Sequence, residues 1–216
     1  MKFNIASSLV AAPLAHPKQV VAELENAGVD FLHFDIEDGV FVPVMNLGIK
    51  IIRDLRPLTT LPFDVHLMTV DPEWLSKEVT QAGADRVSVH YEACMYPRRV
   101  LRQIVDLGAV AGIAINPATS LPDLSFLRPY LSFVVILTTE PEITDSPFLE
   151  EILAKVQQGK AQPGMQTIEW VVDGGINAEN IQRVLHAGAD TVVVGRYVFS
   201  QGDIHQRVQH LRKAAL

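Results

Sequence analysis

The sequence predicts an α/β protein, a single (β/α)₈ TIM barrel that spans residues 1–216. Three observations lead to this fold: the chain contains eight short β-rich segments, places helix-like segments between them, and carries the pattern Ala-Gly-x-Asp at 27–30, 82–85 and 187–190. Each copy follows a helix-period segment and precedes a β-rich run, as expected where glycine ends a helix before a strand. Strands that alternate with helices form a parallel sheet, and eight such units close into a barrel.

The predicted strands are short apolar runs in which a polar residue often comes last. They lie at residues 3–9, 31–35, 63–67, 86–90, 111–115, 133–137, 167–172 and 191–194. Because no low-complexity linker divides the chain, all eight strands are assigned to one barrel.

The predicted helices begin at prolines or capping side chains. Pro17 and Pro97 suit the first turn of a helix, and Asp71 is placed to cap the helix that follows it. Asn177 is predicted to cap a helix at 179–186. A fifth helix, short and irregular, is predicted at 121–126.

Composition excludes several classes of function. A formal net charge of -7 argues against a nucleic-acid partner, because phosphate backbones are bound by clustered Lys and Arg. The single cysteine, Cys94, excludes an intrachain disulfide. The chain shows neither the pattern of a signal peptide nor an apolar run of membrane-spanning length, so we expect a cytoplasmic protein with no membrane partner.

Polar side chains at the ends of three predicted strands form the candidate site. His33 and Asp35 are two residues apart, so a strand presents both on one face. An imidazole beside a carboxylate predicts half of a metal site, and His66 and Asp173, at the ends of two further strands, supply the rest. Catalytic groups of this fold lie at the C-terminal ends of the strands. Four more side chains are predicted at that end: Ser8, Met68, His90 and Asn116.

Six ordered segments resemble the ribulose-phosphate 3-epimerase family, nearly from one end of the chain to the other. They are Ala-Ser-Ser-Leu at 6–9, His-Phe-Asp-Ile-Glu-Asp-Gly-Val-Phe-Val-Pro at 33–43, Asp-Val-His-Leu-Met at 64–68, Val-His-Tyr-Glu-Ala at 89–93, Asn-Pro-Ala-Thr at 116–119 and Val-Asp-Gly-Gly-Ile at 172–176. The resemblance implies a barrel of the ribulose-phosphate-binding type, an isomerase of carbohydrate metabolism in the pentose phosphate pathway, and a homo-oligomer, either a dimer or a hexamer.

The resemblance also implies roles for individual residues. It implies one divalent metal ion bound by His33, Asp35, His66 and Asp173, with the two carboxylates also acting as the catalytic acid and base. This ligand set suits Zn²⁺ best and also admits Fe²⁺, Mn²⁺ or Co²⁺. The expected contacts to a sugar-phosphate substrate come from Ser8, His66, Met68, Gly174, Gly175, Gly195 and Arg196.

The sequence departs from the family on the substrate side. Glu37 and Leu137 replace methionines, and Arg196 replaces a small serine. The glycine-rich loop after the sixth strand is replaced at 140–147, where Glu140, Glu142 and Asp145 would repel a phosphate. Arg196 would bind phosphate next to the glycines after strands seven and eight, or would instead pair with Glu140 or Asp145.

The leading functional hypothesis is a metal-dependent ketose-phosphate 3-epimerase. The expected substrate pair is D-ribulose 5-phosphate and D-xylulose 5-phosphate, or a hexulose 6-phosphate such as allulose 6-phosphate. Two alternatives stay open. One is a sugar-phosphate decarboxylase of a related phosphate-binding barrel, which predicts a lysine beside the strand-end acids. The other is a non-catalytic barrel that binds a sugar phosphate.

Overall fold

The computed structural model describes residues 2–141, 146–200 and 202–216 and contains a closed barrel of parallel strands in sequential order, in which the last strand pairs with the first. The strands are β1 Asn4–Ser8, β2 Phe31–Glu37, β3 Phe63–Met68, β4 Arg86–His90, β5 Val110–Ile115, β6 Phe133–Leu137, β7 Glu169–Asp173 and β8 Thr191–Val194. The predicted (β/α)₈ fold is therefore confirmed.

The helices pack around the outside of this barrel. They are α1 Pro17–Ala27, α2 Ile49–Leu55, α3 Pro72–Ala82, α4 Pro97–Asp106, α5 Ala154–Ala161, α6 Ile181–His186, α7 Arg196–Phe199 and α8 Ile204–Ala214. Short 3₁₀ helices lie at Leu9–Ala11, Arg56–Leu58, Tyr91–Ala93, Ser125–Leu127 and Glu150–Leu153. Within the described part of the chain, no helix is long and apolar enough to cross a membrane.

The predicted helix at 121–126 is wrong. A side chain satisfies the backbone of this segment in place of a helix: the Gln162 amide accepts a hydrogen bond from the Leu124 N–H and donates one to the Pro122 carbonyl. Asp123 accepts the N–H of Ser125, a local turn that competes with helix. Only the 3₁₀ turn Ser125–Leu127 follows.

Two predicted helix caps also differ in detail. Asp71 occupies the N-cap position of α3, but its side chain makes no capping hydrogen bond. Asn177 accepts the N–H groups of Glu179 and Asn180, so it closes a turn, and α6 begins only at Ile181. Pro17 and Pro97 each begin a helix, as predicted.

The three Ala-Gly-x-Asp copies share a structural role at the N-terminal end of the barrel. In each copy the glycine has a positive φ, from 79° to 117°, at or just after the end of a helix. Each aspartate then accepts a backbone N–H near the start of a preceding strand: Asp30 from Ile5, Asp85 from Phe63 and Asp190 from Trp170. A basic side chain pairs with each of these carboxylates, so the repeat ties neighbouring β-α units together.

Two apolar layers fix the barrel beneath the site. The outer layer lies between strands and helices and includes Trp170, which packs directly on Gly159 of α5, where a Cβ atom would lie 1.7 Å from the indole. The inner layer fills the barrel and contains Phe133, Val171 and Val193. Because apolar side chains fill this interior, the open space for a ligand lies at the C-terminal mouth of the barrel.

Candidate metal centre and substrate cavity

Three strands bring the predicted metal ligands together at the C-terminal mouth of the barrel. His33 and Asp35 project from β2, His66 from β3 and Asp173 from the end of β7. One ligand atom from each of these four residues lies within 4.8 Å of the others. Both histidines are fully buried, whereas the Asp173 side chain is 16% exposed. The set therefore forms a buried cluster of candidate metal ligands that is partly exposed on the Asp173 side.

The nitrogen atoms that face the cluster test whether a metal ion fits. His66 Nδ1 is buried without a hydrogen-bond partner, 3.3 Å from Asp35 Oδ1 and 3.8 Å from Asp173 Oδ2. His33 Nε2 lies 3.1 Å from Asp35 Oδ1 and 3.7 Å from Asp173 Oδ2. Two imidazole nitrogens and two carboxylates that converge in this way match a mixed nitrogen and oxygen site for a divalent metal.

Side chains of the barrel hold Asp35 and His33 from the side away from the cluster. Ser8 donates its hydroxyl to Asp35 Oδ2 at 2.9 Å. His33 Nδ1 lies 2.9 Å from Asp64 Oδ2, and the other oxygen of Asp64 accepts Arg86 Nε at 3.2 Å. Arg86 also donates to both carboxylate oxygens of Glu169. A carboxylate behind a ligating histidine fixes the tautomer and orientation of the ring, so this buried column aims His33 Nε2 at the cluster.

His66 has a different neighbour. Its Nε2 atom lies 2.9 Å from Nε2 of His90, and the two rings stack with centroids 4.8 Å apart. His90 Nδ1 lies 3.2 Å from Glu92 Oε2. Burial lowers the pKa of His90 to about 4, against the opposing influence of Glu92, so the His90 ring is neutral near pH 7.

The electrostatics of the two aspartates differ. Burial raises the pKa of Asp173 to about 6. Burial also opposes ionisation of Asp35, but the His33 imidazole outweighs it and places the pKa of Asp35 below its ordinary value. Burial alone would lower the pKa of His33, yet the carboxylates of Asp35 and Asp64 raise it well above its ordinary value. The carboxylates around His33 thus favour positive charge on its ring.

A cavity of about 760 Å³ opens directly above the cluster. Ser8, Asp35, Met68 and Asp173 line its inner end. His66, predicted as a substrate contact as well as a ligand, is buried behind this surface and does not line the cavity. The outer end contains the remaining predicted contacts: Gly174, Gly175, Gly195 and Arg196.

The outer end is built from loops and one short helix. Gly174 has a φ of 113°, and a Cβ atom there would lie 2.4 Å from Thr139 Oγ1, so only glycine fits between the two loops. Arg196 begins α7, is exposed, and makes no ion pair with any described residue. Glu140 lines the cavity, whereas Glu142 and Asp145 lie outside the described residues. Arg196 is therefore available to an anion in the cavity.

Glu37 holds the loop that follows β2. β2 runs two residues further than predicted, so Glu37 is buried on the same face as His33 and Asp35. Its two carboxylate oxygens accept the backbone N–H and the side-chain amide of Asn46, at 2.5 and 3.1 Å. Val42, which lies between Glu37 and Asn46 in the sequence, is buried in the interior cluster that contains Met68 and Leu137. Burial raises the pKa of Glu37 above its ordinary value.

Sequence reasoning missed some residues that support the site. Asp64 and Arg86 received no role, although Asp64 lies two residues before His66, and Arg86 and Ser88 alternate with His90 on β4. The period of two that identified the metal ligands would have placed all of them inside the barrel.

A model of the ribulose-phosphate 3-epimerase family matches residues 4–199. The chain belongs to this family. Ribulose-phosphate 3-epimerase of Bacillus subtilis (strain 168) is 33% identical over 212 residues, which cover 97% of this chain and 98% of that protein. The chloroplastic ribulose-5-phosphate-3-epimerase of Arabidopsis thaliana is 35% identical and covers 96% of this chain and 75% of its own. As a family member, the protein is an isomerase, an epimerase acting on carbohydrates.

More distant solved structures share the fold of this epimerase-family chain. 3-Keto-L-gulonate-6-phosphate decarboxylase of Vibrio cholerae superposes with a TM-score of 0.72 at 19% identity, over 100% of this chain and 98% of that one. 3-Hexulose-6-phosphate synthase of Salmonella typhimurium gives 0.70 at 15% identity, over 99% and 98%. At these identities the likeness concerns the barrel and not its chemistry.

Proposed function

We propose that this protein is a metal-dependent ketose-phosphate 3-epimerase. Its substrates are D-ribulose 5-phosphate and D-xylulose 5-phosphate, or a hexulose 6-phosphate such as allulose 6-phosphate. The observation that carries the proposal is the convergence of Asp35 and Asp173 with two histidines at the inner end of one cavity. The expected place in metabolism is the pentose phosphate pathway, and a homo-oligomeric state stays a prediction from the family resemblance.

Epimerisation beside a ketone requires one group to remove the C3 proton and another to return a proton to the opposite face. Asp35 and Asp173 come from strands that are not neighbours in the barrel, which supports an approach to the sugar from two sides. Ser8 holds Asp35 in position through its second carboxylate oxygen.

The metal site is proposed to consist of His33, Asp35, His66 and Asp173, with Zn²⁺ as the first choice and Fe²⁺, Mn²⁺ or Co²⁺ as alternatives. The bound cation supplies positive charge beside the oxygens that become negative when C3 loses its proton. Met68 and Leu137 line the cavity near this point, and their apolar side chains keep water from the deprotonated sugar.

The phosphate is proposed to bind at the outer end of the cavity. Gly174, Gly175 and Gly195 leave the backbone open to close approach by an anion. Arg196 adds a guanidinium that can bind two phosphate oxygens at once. This arrangement compensates for the missing glycine-rich loop after β6, since the positive charge comes from a side chain instead of from backbone amides.

The cavity argues against the decarboxylase alternative. That chemistry was expected to place a lysine beside the strand-end acids, and no lysine lines the described part of the cavity. Lys155, from α5, is committed elsewhere because its ammonium group binds the backbone carbonyls of Asn116, Pro117 and Thr119.

Proton NMR in D₂O tests the proposed function. Protein loaded with Zn²⁺ is offered ribulose 5-phosphate and allulose 6-phosphate in parallel samples. We expect solvent deuterium at C3 and appearance of the epimer in one sample, which also identifies the chain length of the substrate. Metal binding without exchange in either sugar would overturn the epimerase proposal for these substrates and favour the non-catalytic barrel.

A further inference from the structure

His90 stands directly behind His66, on the side away from the cluster. It is fully buried at the C-terminal end of β4 and makes two close polar contacts, 2.9 Å from Nε2 to Nε2 of His66 and 3.2 Å from Nδ1 to Oε2 of Glu92. Phe41 covers the ring at a centroid distance of 4.5 Å. His90 therefore has no freedom to flip without losing both hydrogen bonds.

The direction of each hydrogen bond follows from the ligand role of His66. Its Nδ1 atom faces the cluster without a partner, so a cation there requires a lone pair on Nδ1 and a proton on Nε2. A hydrogen bond between two nitrogen atoms needs one donor and one acceptor. Because His66 Nε2 carries the proton, it donates to His90 Nε2, which must be the acceptor. Because His90 Nε2 accepts this hydrogen bond, it carries no proton, so the ring proton of His90 lies on Nδ1 and is donated to Glu92 Oε2.

Glu92 is fixed by the loop that follows β5. Its Oε1 atom accepts the backbone N–H of Asn116 at 2.9 Å. The Lys155 ammonium group binds three carbonyl groups of the same loop, at 2.6 to 3.0 Å. The loop after β5 therefore fixes the Glu92 carboxylate, and Lys155 in turn fixes the loop.

We propose that His90 and Glu92 are positioning residues that fix the tautomer and ring orientation of His66, so that Nδ1 is presented to a divalent cation. The inference rests on the proposed metal site. The ring of His33 is oriented by a carboxylate in direct contact, that of Asp64. The ring of His66 is oriented by the imidazole of His90, which lies between His66 and the Glu92 carboxylate. Partners of this kind contribute to metal affinity through the ligand that they orient.

Zn²⁺ affinity of the full-length protein, measured by competition with a chromogenic chelator, tests this role separately from catalysis. In His90→Phe the aromatic ring and its stacking are kept but the acceptor is lost, and we expect affinity to fall about 10- to 100-fold. In His90→Gln the amide oxygen restores an acceptor near the position of Nε2, so affinity should return to within about threefold of the unmodified value. Glu92→Met, which removes the terminal acceptor from a less buried position, should weaken binding in the same direction.

The imidazole ¹⁵N chemical shifts of His66 give a second readout. In the Zn²⁺-loaded unmodified protein we expect Nδ1 to be ligated and Nε2 to be protonated. Unchanged zinc affinity in His90→Phe and Glu92→Met would overturn the inference, as would equal weakening in His90→Phe and His90→Gln, because that result indicates packing alone. Absence of zinc binding by the unmodified protein would instead overturn the proposed metal site. Thermal unfolding of the metal-free variants shows whether each is folded.

Discussion

The two ends of the substrate cavity are built in different ways. At the inner end, His33, Asp35 and His66 project from strands, are buried, and are each held by further side chains. At the outer end, Gly174 and Arg196 belong to loops or to the first turn of a four-residue helix, and the Arg196 guanidinium has no ion-pair partner among the described residues.

The difference teaches which part of the site is free to change. A strand-borne ligand cannot move without disturbing the barrel register, so a new residue at the inner end affects metal, mechanism and fold together. A loop-borne contact can be exchanged alone. Two departures from the family, Arg196 and the segment that begins at Glu140, lie at the outer end. The other two, Glu37 and Leu137, lie on strands at the inner end.

Mutation of the inner end should have the largest effect. Asp173→Asn removes a carboxylate proposed as both ligand and proton-transfer group, so exchange of the C3 proton should fall by about 10³-fold or more. The barrel should stay folded because Asp173 is partly exposed at its mouth. Deuterium exchange by NMR measures the effect, and Asp54→Asn, on the exposed surface of α2, is the control. Exchange at the unmodified rate would remove Asp173 from the mechanism.

Mutation of the outer end should affect binding and leave the chemistry intact. Arg196→Ala removes charged hydrogen bonds to phosphate worth about 1.5–3 kcal/mol, so KM should rise at least tenfold at nearly constant kcat. Steady-state kinetics measures both parameters, and Arg102→Ala, in an exposed pair on α4, is the matched control. Zinc affinity should not change. A KM equal to that of the unmodified protein would mean that Arg196 does not contact phosphate.

The strand-borne end was also the end that the sequence could predict. The period of two put His33 and Asp35 on one face, and the fold then placed His66 and Asp173 beside them. Contacts between distant segments left no such pattern. No sequence pattern indicates that Glu37 binds Asn46, nine residues away. Likewise, none indicates that the Gln162 side chain binds the backbone of Leu124 and Pro122, in the segment where a helix was expected.

Glu37 connects the strands of the inner end to a loop, because it lies on β2 and accepts two hydrogen bonds from Asn46 in the loop that follows. Glu37→Met restores the residue typical of the family but removes both acceptors of Asn46, and we expect the free energy of unfolding to fall by about 1 kcal/mol. Hydrogen exchange of the Asn46 amide should become faster. Glu37→Gln keeps one acceptor and should retain most of the protection. Equal exchange in both variants would show that the carboxylate does not hold this loop.

The smallest expected effect concerns the support behind His66 and appears as a pH dependence. Burial alone would raise the pKa of Glu92, but hydrogen bonds from His90, Thr119 and Asn116 lower it from 4.5 to about 2. The ionised carboxylate therefore stabilises the folded protein fully above pH 4.5, and this contribution is lost as the pH falls toward 2. Because Glu92 is partly exposed and solvent screens its charge, Glu92→Gln should cost only about 0.5 kcal/mol near pH 6 and progressively less in acid.

Urea unfolding of the metal-free protein, from pH 6 down to the lowest pH at which both proteins are folded, measures this difference. Chelator must be present, since bound metal would add its own pH dependence. Glu179→Gln, at an exposed position before α6, provides a control in which the difference from the unmodified protein should stay constant. A gap between Glu92→Gln and the unmodified protein that does not narrow in acid would mean that Glu92 contributes through packing and not through its charge.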